Sequence, residues 1–434
     1  MKFKRSLLVR AGLIATLVAV LSGGATSALS QSEYVVFSFS NSSVLGSAPE
    51  GNLVADAAGN LYGASFAGGP LNSGYVFELV RPVPPHKTWS QNVLYVFTGG
   101  LDGGNPGYGV ILDAAGNLYG MAKGGTSGDG VVFRVAPPTT VGGEWTEAAI
   151  YSFQEESDGE FPTGGLVFDK AGNLYGVLEE GGFTGNPNCI RGCGTVFELT
   201  PPATAGGAWN ETVIHSFNYS NGGYPVSAPI VDAQGNLYGT TQGGGPSGTG
   251  VVYRLTPPTT PGGAWGQRVL YAFGLSNTDS AYPMASLTLH GAGVLYGTAS
   301  YGGTKRDGTV FQLVPPSVPG GAWTENILLT FGWTDGSGPA APVIFDKAGN
   351  LYGTAQRGGK AGCNNSGCGI VFRLSPPASP GDNWTETVLH AFPTSRIDGL
   401  TPSGGLLLGK NGVLFGGTLD SVTSSTGTVF GIVP

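Results

Sequence analysis

The sequence predicts an all-β protein: a seven-bladed β-propeller with four antiparallel strands per blade, closed by an N-terminal strand that joins the last blade. The first observation is a phrase, Leu-Tyr-Gly or once Leu-Phe-Gly, that occurs seven times ahead of a glycine-rich loop. Its central aromatic residues are Tyr62, Tyr119, Tyr175, Tyr238, Tyr296, Tyr352 and Phe415, at spacings of 57, 56, 63, 58, 56 and 63 residues. A period of this size indicates an array of equal supersecondary units.

The two ends of the array supply the second observation, because each complements the other. The last unit stops at Val433 after its third strand, whereas residues 32–39 align with fourth strands such as residues 212–217. Joining these two ends closes a ring and leaves no free sheet edge. A tryptophan opens each of the other fourth strands: Trp89, Trp145, Trp209, Trp265, Trp323 and Trp384.

The second unit illustrates the four predicted strands. They cover residues 108–113, 118–122, 131–135 and 148–153. Each is a short run rich in Val, Ile, Phe or Tyr, bounded by Gly, Pro, Asn or Asp, which is typical of strands and turns. Glycine makes up 77 of the 434 residues and charged residues only 11%, a composition that suits many short strands joined by tight turns.

The N-terminus has the pattern of an export signal. Four Lys or Arg residues fall within the first ten positions, and residues 11–21 form an apolar run too short to span a bilayer. Residues 28–30, before Gln31, form a candidate cleavage site; an uncleaved membrane anchor is the alternative. We therefore predict a signal peptide at 1–30 and a single propeller domain at 31–434, secreted, periplasmic or on the cell surface, and monomeric.

The charge balance bears on partners. The formal net charge is −8, and it becomes −12 once the four basic residues of the predicted signal are removed. Without a block of Lys or Arg, neither nucleic acid nor an anionic membrane is an expected partner, and no membrane insertion is expected after cleavage.

Four cysteines form two close pairs, Cys189 with Cys193 and Cys363 with Cys368. Both pairs lie in the same loop of the two longest repeats. In an exported protein this spacing favours two local disulfides. A zinc site is the alternative, but it would need both pairs together although they lie three repeats apart.

The whole repeat carries a family resemblance. The pattern Gly-Asn-Leu-Tyr-Gly, then Gly-Gly, then Gly-Thr-Val-Phe-x-Leu-x-Pro-Pro, then Trp-x-Glu-x-Val-Leu-x-x-Phe resembles the GloVer tandem repeat of exported bacterial proteins, over essentially all of residues 31–434. The resemblance implies a secreted or surface repeat protein and no particular reaction. More loosely, the Gly-Gly pair with its later Trp is similar to kelch repeats, and the Asp-x-x-Gly-Asn turn is similar to NHL and gluconolactonase-type propellers, as analogies of fold.

Residues present in most copies are most simply explained by the blade itself. We predict that the aspartates ending the first strands accept hydrogen bonds from turn amides, and that the Trp and Leu-Tyr residues pack between neighbouring sheets. No metal or cofactor is predicted, because each turn has one carboxylate and none of the four histidines lies in a spaced metal motif. The aspartates are Asp56, Asp113, Asp169, Asp232 and Asp346.

A ligand site is expected where the copies differ. The residues just before the Gly-Gly pairs vary strongly, and they are the predicted ligand-binding residues: Phe66, Lys123, Glu179, Glu180, Gln242, Tyr301, Gln356 and Arg357. Aromatic residues beside the loop prolines are expected on the same face: Tyr108, Phe161, Tyr224 and Tyr282. Aromatic platforms with amides and mixed charges suit carbohydrate or protein ligands.

Two classes of function stay open. The first is an exported, non-catalytic binding or scaffold propeller. The second is a propeller enzyme, such as a glycan lyase or lactonase, which needs a general base, a metal or a paired acid near a pocket. The first strands contain no carboxylate before the turn, so no catalytic residue is assigned.

Overall fold

The computed structural model describes residues 32–39, 49, 51–154, 158–204, 206–260, 262–359, 367–379, 381–392, 399–421 and 426–434. These residues form seven small antiparallel blade sheets and one two-stranded sheet, without a helix among them, arranged as a seven-bladed β-propeller. The predicted fold class is confirmed. The predicted signal peptide at 1–30 lies outside the described residues and stays a prediction.

Blades I to VII are numbered in chain order, with strands counted from the central channel outward. The first strands are Val54–Ala55, Ile111–Leu112, Glu160–Phe168, Ile230–Val231, Thr288–His290, Ile344–Phe345 and Leu407–Leu408. The second strands are Leu61–Ser65, Leu118–Ala122, Leu174–Glu180, Leu237–Thr241, Val294–Ala299, Leu351–Ala355 and Leu414–Ser421. The third strands are Tyr75–Val80, Val131–Ala136, Thr195–Thr200, Val251–Thr256, Thr309–Val314, Ile370–Ser375 and Thr428–Val433. The fourth strands are Ser90–Val96, Thr146–Ser152, Asn210–Ser216, Gly266–Ala272, Thr324–Thr330, Thr385–Ala391 and Ser32–Ser38.

Additional pairing occurs at one end of the second strands. In blade III the first strand is long and begins at Glu160. In blade V, Ser280–Ala281 pairs with Tyr301–Gly302, and in blade VII, Gly399–Pro402 pairs with the second strand. The segment ahead of the channel strand is therefore held against the second strand in these blades.

The ring closes as predicted. Ser32–Ser38 pairs antiparallel with Thr428–Val433, so that Tyr34 lies opposite Gly431 and Val35 opposite Phe430. The Phe39 amide continues the ladder by donating to the Gly427 carbonyl at 3.3 Å. The first and last described strands thus share one blade, and closure pairs the third strand of blade VII, which an open array would leave as an edge.

The repeated Leu-Tyr-Gly phrase is explained by packing inside each blade. The second strand of blade II is buried along its whole length. Its glycine, Gly120, lies so close to the Phe133 ring of the third strand that a Cβ atom there would come within 2.4 Å of Phe133 Cζ. Only glycine leaves room for the buried phenylalanine, so the two residues recur together.

The tryptophans pack between blades, as predicted. Trp209 of blade III lies with its ring centroid 6.2 Å from that of Tyr119 in blade II, and Trp265 of blade IV lies 5.9 Å from Tyr175 in blade III. Each aromatic residue buries roughly 150–250 Å². This contact joins the fourth strand of one blade to the second strand of the blade before it.

The aspartate turns also have the predicted role. Asp113 Oδ1 accepts hydrogen bonds from the Ala115 and Asn117 amides at 2.9 and 2.8 Å, and Oδ2 accepts one from Asn117 Nδ2 at 2.7 Å. The Tyr119 hydroxyl adds a fourth bond to the same carboxylate at 3.2 Å. We call this end of the propeller the turn face and the opposite end the loop face.

Two histidines pack as tyrosine does at the equivalent position of other fourth strands. His215 lies 4.7 Å from Phe217, and His390 lies 4.4 Å from Phe392, in the edge-to-face geometry that Tyr151 makes with Phe153. Burial lowers the pKa of His215 to about 4.

The outer part of the blade interfaces carries an acidic cluster that we call the seam. The Tyr151 hydroxyl of blade II donates to Asp158 at 2.8 Å, and Glu211 of blade III faces the same aspartate. The arrangement recurs with Tyr95, Asp102 and Glu147, with Tyr271, Asp279 and Glu325, and, without the tyrosine, with Asp335 and Glu386.

Candidate functional site

The central channel is apolar below its loop-face end. A cavity of about 270 Å³ within it is lined by side chains such as Leu53, Val110, Leu166, Ile344 and Leu406. These residues lie at or immediately before the first strands, where the sequence shows no carboxylate. The channel wall can therefore surround a ligand but contributes little hydrogen bonding from side chains.

A larger cavity of about 560 Å³ lies at the loop-face end, and all seven blades contribute to it. We call it the channel mouth. Glu179, Gln242 and Gln356 line it together with Tyr108 and Leu419. The structure thus brings three of the eight predicted ligand-binding residues to one cavity.

The period of the β-strand separates the mouth residues from the residues that follow them, although Phe66 and Lys123, which also stand five residues after the repeated leucine, do not line the mouth. Glu179, Gln242 and Gln356 each stand five residues after the repeated leucine, and side chains alternate between the two faces of a strand. The residue six positions after the repeated leucine is Glu180 in blade III, Tyr301 in blade V and Arg357 in blade VI, and none of these lines the mouth. The sequence pattern selected both positions, but the structure separates them.

Four of the predicted ligand-binding residues contact one another in two pairs, of which only the first lines the mouth. Gln242 Nε2 donates to Glu179 Oε1 at 3.2 Å. Lys123 Nζ lies over the Phe66 ring, 5.4 Å from its centroid, which is cation–π geometry. Burial and the neighbouring Glu180 raise the pKa of Glu179, and Lys123 opposes that shift. The mouth therefore contains neutral amides beside a carboxyl group with a raised pKa.

The three residues that follow this position, Glu180, Tyr301 and Arg357, do not share one environment. Glu180 Oε2 forms an ion pair with Arg191 Nε at 3.4 Å, and Arg191 also forms an ion pair with the buried Glu160. Tyr301 is 54% exposed and packs edge-to-face against Tyr282, with centroids 5.8 Å apart. Arg357 is exposed, and its backbone pairs with Ser337.

The disulfide prediction is confirmed for one pair. Cys189 and Cys193 are joined and completely buried, and they pin the loop that carries Arg191. The Arg191 carbonyl accepts a hydrogen bond from the Gly181 amide at 2.7 Å, which holds this loop against the loop face. Cys368 is also disulfide-bonded, but its predicted partner, Cys363, lies outside the described residues.

The described part of the chain gathers no group of three or more His, Cys, Asp or Glu side chains that could hold a metal ion. In the same residues, no helix has the length and apolar character needed to cross a membrane.

Two features of the loop face were not found from the sequence. Arg191, Glu160 and Glu180 form an ion-pair cluster, but Glu160 and Arg191 are 31 residues apart and carry no recognisable motif. The second is a backbone conformation. Phe161 has φ +59°, in the left-handed region, and it precedes Pro162 in a position that recurs in other blades. The repeated x-Pro step was the available signal for it.

The fold and this site define a closed seven-bladed propeller with a polar mouth on an apolar channel. The Gloeobacter/Verrucomicrobia repeat model matches residues 22–190 and 186–430, and the chain belongs to that family. No curated protein sequence matches it.

The chain is also similar to solved propeller structures. A putative 6-phosphogluconolactonase from Bacteroides uniformis is 14% identical over 82% of this chain and 95% of its own, with a TM-score of 0.49. The PQQ-bound aldose sugar dehydrogenase from Streptomyces coelicolor is 14% identical over 93% of this chain and 98% of its own, with a TM-score of 0.42. These likenesses carry no information on the activity of this chain.

Proposed function

We propose that the protein is an exported, non-catalytic propeller that binds a carbohydrate at the channel mouth. The observation that carries this proposal is the meeting of Glu179, Gln242 and Gln356 at one cavity above an otherwise apolar channel. Amide groups both donate and accept hydrogen bonds, as sugar hydroxyls do. A cavity of about 560 Å³ is within the range of small-ligand sites.

The charges around the mouth support a neutral ligand. Lys123 lies near Glu179, and Arg191 pairs with Glu160 and Glu180. Each positive group thus lies close to a negative group, and the mouth has no patch of a single sign of charge that would favour a charged ligand. The negative net charge of the chain, −8, adds an argument against nucleic acid.

Binding is favoured over catalysis because the mouth supplies one carboxyl group. Glycoside cleavage by the common routes uses two carboxyl groups on opposite sides of the bond. Glu179 lines the mouth, whereas Glu180 points away and is paired with Arg191. The raised pKa of Glu179 is the feature that favours the alternative, an enzyme with Glu179 as a general acid.

Export is supported by two observations. The Cys189–Cys193 disulfide is typical of oxidising compartments. The first 30 residues have the sequence pattern of a signal peptide.

The test is a glycan array followed by calorimetry with matched variants. Gln242→Leu and Gln356→Leu should each weaken binding about tenfold, which corresponds to ~1.4 kcal/mol. Gln234→Leu is the control, because Gln234 is an exposed glutamine on the turn face of the same blade as Gln242. Absence of binding to every arrayed glycan would contradict the proposal. Turnover of a bound glycan that is lost in Glu179→Gln would favour the enzyme.

A further inference from the structure

Equivalent residues ahead of the loop prolines share an unusual backbone conformation. Six blades have a residue with φ between +53° and +63° at this position, immediately before a proline: Asn105, Phe161, Tyr224, Tyr282, Gly338 and Thr401. In three consecutive blades, III to V, the residue is aromatic. We call Phe161, Tyr224 and Tyr282 the aromatic arc.

The backbone does not explain the aromatic side chains. The left-handed region is easily adopted by glycine and tolerated by asparagine, which blades VI and II use in Gly338 and Asn105. A bulky residue there is a conformational outlier that costs on the order of 1 kcal/mol. Three such outliers in a row indicate that the rings serve something other than the turn.

Burial does not explain them either. Phe161 and Tyr282 are 40% and 41% exposed. The Arg191 guanidinium lies 5.0 Å from the Phe161 ring centroid, and the Tyr224 hydroxyl donates to the Asn188 carbonyl. These contacts orient the rings; Phe161 and Tyr282 stay exposed to solvent, and Tyr224 is partly exposed.

The arc borders the channel mouth. The Gln242 amide donates to the Tyr224 carbonyl at 3.1 Å, and the Ser300 amide donates to the Tyr282 carbonyl at the same distance. In blade III, Glu160 and Pro162 pair with Glu180 and Leu178, which places Phe161 opposite Glu179. Each residue of the arc is therefore paired with a residue of the neighbouring strand that lies at the level of the mouth.

Exposed aromatic residues are concentrated on this face. In the described part of the chain seven Phe, Tyr or Trp side chains are exposed, and all but Tyr34, on the outer strand of blade VII, lie on the loop face. The six are Tyr108, Phe161, Phe183, Tyr282, Tyr301 and Trp333. The turn face has none among the described residues, so the two ends of the propeller differ in kind.

We infer that the aromatic arc extends the mouth into an open cleft for a neutral oligosaccharide chain, with one sugar ring stacked at each of blades III, IV and V. This inference rests on the proposed function. Rings that are separated by one blade each suit a polymer of rigid rings, since aromatic faces pack on the apolar face of one sugar at a time. A peptide would need a free sheet edge or a continuous apolar groove. The free sheet edges are those of the outer, fourth strands of the blades, away from the arc, and polar groups such as Arg191 interrupt the arc.

The experiment measures affinity as a function of chain length. The probes are cellohexaose, xylohexaose and maltohexaose, each compared with its disaccharide by calorimetry, with hexagalacturonate as the charged comparison. We expect the best hexasaccharide to bind at least tenfold more tightly than its disaccharide, and hexagalacturonate to bind more weakly. The combined variant Phe161→Asn, Tyr224→Asn and Tyr282→Asn should abolish the gain with length. Asparagine occupies this position in blade II with φ +53°, so the variant should keep the fold.

A second arm adds a ring instead of removing one. Gly338 has φ +63°, and no described atom lies within 4 Å of the position its Cβ would occupy. Gly338→Tyr should extend the arc to blade VI and tighten hexasaccharide binding about threefold, without changing disaccharide binding. Gly338→Asn is the matched control, because it has the same backbone requirement and no ring.

The outcomes separate the two proposals. If the hexasaccharide binds no better than the disaccharide, or if the arc variant keeps the gain with length, the arc is not a subsite, although mouth binding would stand. If no saccharide binds, the proposed function itself is wrong. Tighter binding of hexagalacturonate would overturn the assignment of a neutral chain.

Discussion

Raising the pH should loosen the propeller at its seams, and four glutamates should be responsible. Glu147, Glu211, Glu325 and Glu386 each face an aspartate of the preceding blade connection, and one carboxyl oxygen of each is buried without a hydrogen-bond partner among the described residues. Burial, followed by the facing aspartate, raises the pKa of Glu147, Glu211 and Glu386 to about 7. Lys305 opposes the shift at Glu386. Burial and contact with Asp279 raise the pKa of Glu325 to about 8.

In the Asp102–Glu147 pair the aspartate holds the negative charge. Asp102 accepts bonds from the Thr98 amide at 2.7 Å and the Tyr95 hydroxyl at 2.9 Å. Burial alone would raise the pKa of Asp102, but these hydrogen bonds outweigh it and lower the pKa. The proton is therefore held by Glu147, which lacks such donors.

The sign of the effect follows from proton linkage. The folded state binds protons on these glutamates at pH values where the unfolded chain has lost them, so the free energy of unfolding falls as pH rises from about 4.5 through 7 to 8. One pKa unit corresponds to ~1.4 kcal/mol. The carboxyl groups are half-buried and screened by solvent, so we expect about 1 kcal/mol for each glutamate. For a domain of roughly 400 residues, a total of ~4 kcal/mol corresponds to a fall in Tm of about 5 °C.

The assay is thermal unfolding, followed by circular dichroism at about pH 4.5, 7 and 9, of the wild type and of the four-fold Glu→Gln variant. The wild type should lose about 5 °C more than the variant over this range. Comparing the two cancels the contribution of His215, whose lowered pKa has the opposite sign below pH 6.5. Glu144→Gln is the control, because Glu144 is exposed. Parallel pH profiles of wild type and variant would show that the seam glutamates are ionised in the folded protein.

The remaining predictions concern the two faces and the disulfide. Asp113→Ala removes four hydrogen bonds from the turn of blade II and should lower the free energy of unfolding by about 1–2 kcal/mol in urea titrations without changing glycan affinity; lost affinity in a folded variant would mean that the faces are misassigned. Tyr301→Ala combined with Arg357→Ala should keep the Tm and weaken binding of a ligand that extends beyond the mouth, because Tyr301 packs against Tyr282 of the arc; unchanged affinity would show that neither residue contributes to binding. Reducing the Cys189–Cys193 bond should cost less than the ~3 kcal/mol of a 15-residue loop, because the closed loop is so short, and a larger loss would contradict the local role of this bond.

The sequence by itself determined the architecture. Seven copies of one phrase set the number of blades, and the strand at residue 32 that complements the end at Val433 set the closure. These inferences succeeded because propeller contacts are either within one repeat or between neighbours, so a local pattern repeated along the chain specifies the whole. For the same reason the Asp113 turn and the packing of Trp209 could be predicted: each uses partners at a constant offset in the repeat.

Only the tertiary structure decided which variable residues share a site. Glu179 and Glu180 are adjacent in sequence, yet Glu179 lines the mouth and Glu180, which does not, pairs with Arg191. Gln242 meets Glu179 from 63 residues away. The side-chain direction at the end of a strand depends on the exact register of pairing, and the contacts at the mouth depend on the curvature that brings seven strand ends together. Neither the register of pairing nor the curvature can be deduced from a single copy of the repeat. The sequence could therefore identify the candidate residues but could not show which of them share a site.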